Sequence, residues 1–179
     1  AEKDINRLLE KILTETRAIT SAEGGTLYMM SENLQELHFA IVQNDFLQLN
    51  MGATGEKMVW PPVKLMSENG KPDHTHVSAY VAITGKTVNI PDVYDAKGFN
   101  FEGTRLFDRE TGYRSHSMMV VPMRNHDNDI IGVLQLINAK DPTTCEVIAF
   151  SEKAQALAIS LASQAAVALT NNMLISDLE

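Results

Sequence analysis

The chain holds 179 residues, with 15 Lys and Arg against 23 Asp and Glu, a formal net charge of −8. Apolar residues make up 44% and charged residues 21%, which suits one globular domain with an appended element and excludes a disordered chain. The acidic balance excludes a general field for nucleic acid or anionic lipid, and the single cysteine, Cys145, excludes an internal disulfide framework.

The chain opens on Ala1 inside a helical pattern, as an excised piece of a longer protein would. Ile5, Leu8, Ile12 and Ile19 form a narrow stripe on this first helix, with Leu9 beside it. So narrow a stripe fits a coiled-coil-like seam better than a broad core face. Gly24-Gly25 is expected to break the helix. Thr26 to Met30 and Glu36 to Gln43 read as strands joined by a turn at Ser31-Glu32-Asn33. The stretch Asn44 to Lys57 has no clear pattern, and Pro61-Pro62 confine any strand over Val59 to Leu65 to an edge. Ser67 to Asp73 is a loop.

Val77 to Thr84 reads as a short helix stopped by Gly85. Thr87 to Ile90 is a strand, Asp92 to Asn100 a loop, and Glu102 to Thr111 a helix ended by Gly112. Ser115 to Met123 and Asp129 to Asn138 form a hairpin around the turn Asn125-His126-Asp127-Asn128. The returning strand is apolar on both faces, so it belongs at the centre of a sheet. A final helix is expected over Glu146 to Leu178, with Ala154, Leu161, Ala168 and Ile175 repeating every seven residues. Leu157, Gln164, Asn171 and Leu178 follow three positions later, completing a second seam with polar members. The fold class is therefore α+β, an antiparallel sheet with inserted helices between two terminal helices.

Three blocks resemble the GAF domain family: GGTLYMM at Gly24 to Met30, VSAYVAITGKTVNIPDVYDAKGF at Val77 to Phe99, and GYRSHSMMVVPMRNHDNDIIGVLQLINAK at Gly112 to Lys140. The resemblance implies a PAS-like central antiparallel sheet of about six strands. It further implies a small-molecule sensor in a multidomain signalling protein, dimerising through terminal helices. The expected division is 1–23 as a dimer or linker helix, 24–153 as the sensory domain, and 154–179 as the end of the signalling helix. A cyclic-nucleotide-binding subgroup carries Asn-Lys, then Phe, three residues and Asp-Glu. Here Asn138 and Lys140 are separated by Ala139, Phe150 matches, and Ala154 and Gln155 occupy the acidic positions. Tight binding of cyclic AMP or cyclic GMP is therefore not expected.

Candidate ligand contacts are Ser78 in the first turn of its helix, where free N–H groups gather, and Asp92, Tyr94 and Asp95 after the short strand. Asn100, Phe101 and Arg105, in the segment expected over the cavity, join them, as do Ser115 and Ser117 on one strand face. The expected dimer interface is Ile5, Leu8, Ile12, Leu157, Leu161 and Ala168. His74 and His76 could share a face and hold haem or a metal, but no spaced second pair accompanies them. No catalytic motif is present: there is no phosphate loop, nucleophile elbow or H-E-x-x-H. No activating residue adjoins Cys145, and the lone thiol also argues against a free-methionine-sulfoxide reductase, which uses several cysteines.

The reading is a non-enzymatic, regulatory sensor from a bacterial protein, with no catalytic or metal residues and no identified cofactor. Its ligand is a small molecule, a nucleotide being one candidate, and its partners are a second copy and a linked output domain, not nucleic acid or membrane. No apolar run approaches the ~18 residues of a membrane span, so a cytoplasmic location is expected. The alternatives are a dimerisation or spacer module without a ligand and, least, a haem or metal sensor.

Overall fold

The computed structural model describes residues 2–178, with side chains over 3–173. In chain order the elements are α1 (Glu2–Thr20), β1 (Ala22–Met30), β2 (Glu36–Asn44), β3 (Leu49–Met51), β4 (Val63–Lys64), α2 (Val77–Thr84), β5 (Val88–Ile90), α3 (Glu102–Thr111), β6 (Met118–Arg124), β7 (Ile130–Lys140), β8 (Val147–Ile148) and α4 (Glu152–Leu178). One antiparallel sheet runs β3-β2-β1-β7-β6-β5, with β4 added to β2 and β8 to β7. The apolar strand β7 sits between β1 and β6, where both of its faces are covered. This is the expected GAF-like sheet of six principal strands, with two further strands of two residues each.

The alternation along β7 divides the core in two. Leu134 and Leu136 point toward α1 and α4, joining Leu9, Ile12, Leu13, Leu27, Met119 and Val121 with Ala158, Ala162, Ala166 and Leu169 of α4. Val133 and Ile137 point the other way, toward Tyr28, Val120 and the residues of α2 and its flanking loops. Apolar burial of this kind contributes roughly 1.5–3 kcal/mol per large side chain.

Several boundaries differ from the sequence reading. Gly24 and Gly25 do not break a helix: α1 ends at Thr20, Ser21 takes a left-handed conformation (φ 58°), and both glycines lie inside β1. A Cβ on Gly25 would stand 2.8 Å from Leu13 Cδ1, so glycine there lets α1 lie directly on the strand. The final helix starts at Glu152, not Glu146, because Val147 and Ile148 pair with the end of β7. The patternless stretch contains β3, and the segment over Val59 to Leu65 reduces to β4, after the two prolines. The strand expected from Ser115 begins at Met118. By contrast α2 and α3 have the expected limits, each closed by a left-handed glycine, Gly85 (φ 70°) and Gly112 (φ 76°).

The inward face of α4 is also not the seven-residue seam. Ala158, Ala162, Ala165, Ala166 and Leu169 are buried against the domain, while Leu157 and Leu161 are half-buried and Gln164, Ala168 and Asn171 exposed. Ile175 and Leu178 fall outside the described side chains. On α1, Ile12 turns into the domain's own core, Ile5 and Leu8 are half-buried, and Ile19 is 50% exposed.

Candidate functional site

A cavity of about 340 Å³ lies between the sheet and the segments that carry α2 and α3. Thr26, Tyr28, Gln135, Ile137 and Met118 line it from the sheet. His76, Val77 and Ser78 line it from the start of α2, and Asn100, Phe101, Gly103, Thr104 and Phe107 from around α3. Tyr28, Phe39, Trp60 and Phe107 form a run of rings, with successive centroids 4.7, 5.3 and 6.1 Å apart. The two later contacts are edge-to-face, the arrangement aromatic quadrupoles favour. This run joins the sheet to α3 through the segment before β4.

Among the described residues the wall holds no Lys, Arg, Asp or Glu. His76 lines the cavity, and its Nδ1 lies 2.8 Å from Asp73 Oδ2. Burial raises the Asp73 pKa, but hydrogen bonds from Thr75 and His76 outweigh it and bring the group down to about 2. Burial pushes the Tyr28 phenol far up, only partly offset by its hydrogen bond with Ser78.

Of the residues expected from sequence to contact a ligand, Ser78, Asn100, Phe101 and Ser115 line the cavity. Asp92, Tyr94, Asp95, Arg105 and Ser117 do not. Asp92 receives both Arg114 guanidinium nitrogens, at 3.1 and 2.9 Å, and these bonds hold its carboxyl below the ordinary value. The Tyr94 ring lies under Arg114 (3.8 Å) and near Arg105 (5.3 Å). The Tyr94 hydroxyl donates to buried Asp108, which also accepts the Ser115 N–H and hydroxyl. These groups staple α3 to the loop before it. Asp95 is exposed, and Ser117 Oγ accepts the Ala139 N–H at 3.0 Å.

The sequence reading missed Thr26, Phe39, Asn44, Trp60, Phe107, Tyr113 and Gln135 as lining residues. One signal was legible: Gln135 is the single polar residue in the run from Ile130 to Ile137, Gly132 aside. An amide inside a strand covered on both faces demands a reason.

Among the described residues no three His, Cys, Asp or Glu side chains converge to hold a metal ion. His74 packs edge-on against Tyr80, and His76 is engaged by Asp73.

The GAF domain model matches residues 4–169. The chain belongs to the GAF domain family. Over 62 residues it is 45% identical to the dual 3′,5′-cyclic-AMP and -GMP phosphodiesterase 11A of Takifugu rubripes, a match that spans 35% of this chain and 6% of that protein. The second GAF domain of DevS from Mycobacterium smegmatis is 14% identical, with a TM-score of 0.63 and full coverage of both chains. The type II free methionine-R-sulfoxide reductase from Thermoplasma acidophilum is 15% identical, with a TM-score of 0.56 over 96% of each chain. Both structural likenesses concern the fold alone.

The partial cyclic-nucleotide signature lies outside the cavity. Asn138 takes a left-handed conformation (φ 57°), accepts the His116 N–H and donates to the Tyr113 hydroxyl and the Arg114 carbonyl. Lys140 pairs with buried Glu23 of β1, which also accepts the Tyr113 hydroxyl, and its pKa is raised chiefly by that bond. Asn89 Nδ2 donates to the Phe150 carbonyl and to Gln155 Oε1. In this GAF domain the surviving residues knit β7 and the start of α4 to the sheet.

Among the described residues no helix is long and apolar enough to cross a membrane.

Proposed function

We propose that this GAF domain is a non-enzymatic, cytoplasmic ligand-sensing module of a multidomain signalling protein. Residues 24–153 form the sensor, and the flanking segments 1–23 and 154–179, to which α1 and most of α4 belong, carry its state outward. One observation supports this reading above the others: a partly open, aromatic-lined cavity of about 340 Å³ with polar groups in its wall. Such a volume falls in the range of small-molecule sites. Cys145 is exposed in the turn before β8 and does not line the cavity, so the chain's only thiol is not placed for chemistry there. Ligand binding shifts the balance between two arrangements of α1 and α4 by its differential affinity for them.

The half-buried and exposed stripe of Ile5, Leu8, Ile19, Leu157 and Leu161, with Ala168, supports parallel pairing with a second copy. Ile12, which faces the domain's own core, drops out of that interface. A thermal-shift screen combined with sedimentation tests the reading. A ligand present at 100 times its dissociation constant adds about 2.7 kcal/mol of stability. Leu161→Glu converts the dimer to monomer through unpaired charge in the seam. A chain that dimerises but carries and accepts no small molecule is a spacer, not a sensor.

A further inference from the structure

The cavity floor holds two polar side chains that the fold leaves unmatched. Thr26 and Gln135 are direct cross-strand partners on β1 and β7, and both line the cavity. Thr26 is 6% exposed. Neither its hydroxyl nor the Gln135 amide meets a hydrogen-bonding group of the protein among the described residues. Other buried polar groups around the cavity are engaged: Asn44 Oδ1 accepts the Leu47 N–H, and Ser115 is held by Asp108. Gln135 is half-buried, and both side chains open on the cavity, where an occupant can reach them. Leu, Ile or Val would suit a strand otherwise so apolar.

The charges restrict what could satisfy the pair. Among the described residues no Lys, Arg, Asp or Glu lines the cavity. The first turns of α2 and α3 both open on it, and positive helix ends ordinarily attract anions. Here an acidic side chain already stands beside each. The Asp73 carboxylate accepts the Thr75 and His76 N–H groups at the start of α2. Glu102 occupies the first turn of α3, and its own N–H bonds to Asn100. An anionic ligand would find two carboxylates nearby and no guanidinium or ammonium. The ring run Phe39, Trp60 and Phe107 offers flat apolar faces beside the polar floor.

We infer that the cavity takes an uncharged, planar heterocycle with an amide-like edge. The ring lies among Phe39, Trp60 and Phe107. Its adjacent N–H and C=O meet the Gln135 carboxamide, which offers one acceptor and one donor group side by side, while the Thr26 hydroxyl serves a second edge atom. This rests on the ligand-sensing reading above and names the chemistry of the ligand.

Trp60 is the chain's single tryptophan and lines the cavity, so its fluorescence reports occupancy directly. The test titrates wild type, Gln135→Leu and Thr26→Val with hypoxanthine and uracil, and in parallel with cyclic AMP, cyclic GMP and indole. A saturable change with a neutral base is expected in the wild type. Each substitution should weaken it by about tenfold or more while leaving the unliganded melting temperature equal or higher. The inference is overturned if either variant keeps wild-type affinity, or if the charged nucleotides or indole bind and the neutral bases do not. Mass spectrometry of small molecules released on denaturation separates the two levels. A released molecule that is charged or lacks an amide edge sinks this inference alone. No released molecule and no response to any probe sinks the sensing reading with it.

Discussion

The two faces of the sheet are built from neighbouring residues of the same strands and end up unlike. Leu134 and Leu136 face α1 and α4, and are fully buried. Gln135, between them, faces the cavity. On the helix side, α4 presents Ala158, Ala162 and Ala166, whose small side chains let the long helix lie close. The sheet's leucines and methionines fill the remaining space. On the other side the cover is made of α2, α3 and loops, and their aromatic rings meet at edges, leaving an open volume. A face covered by long continuous helices can be packed to crystal-like density. A face covered by short pieces stapled together retains room for a guest.

The strongest way to break the comparison is to hollow the filled face. Leu136→Ala should cost about 2–5 kcal/mol, because the close-packed side chains around it collapse only partly into the gap. Urea denaturation measures it. A loss below about 1 kcal/mol would mean that the helix face is no better packed than the cavity face.

A second test loosens the roof of the open face. Asp108→Ala removes the acceptor shared by Tyr94 and Ser115, leaving the Ser115 N–H inside without a partner. The expected cost is about 1–3 kcal/mol. Hydrogen exchange should accelerate over residues 102–117 while the amides of β7 stay protected. Equal acceleration on both would show that the two faces unfold as one unit.

The smallest effect is one of pH. The folded-state pKa of Asp73, about 2, lies below the carboxylate's ordinary value. Its contribution is therefore complete above about pH 5 and is lost as pH falls through 4 toward 2. His76 is half exposed, so solvent screening limits the contribution to about 1 kcal/mol. Asp73→Asn should flatten stability against pH between about 2 and 4, measured as urea midpoints, and leave the helix face unaffected.

Much of this molecule was legible in local signals. Gly85 and Gly112 fixed the ends of α2 and α3, since a left-handed closing residue needs only its own turn to act. The turn at Asn125 to Asn128 and the double-sided apolarity of β7 placed the central hairpin, and the narrow stripe on α1 announced a helix with an incompletely covered side. Tertiary structure decided the rest, because the deciding partner lay far along the chain. Gly24 and Gly25 became strand because β2 and β7 pair with them on either side, while Leu13 packs onto Gly25. Val147 and Ile148 left the helix because the end of β7 offered a ladder. Asp92 and Tyr94 became a staple because Arg114 and Asp108 come within reach only when α3 folds back. Tyr113 meets Glu23 across 90 residues. Thr26 and Gln135 stand side by side through strand pairing alone: sequence sets what each residue can bond, and register sets which groups are left waiting for a partner.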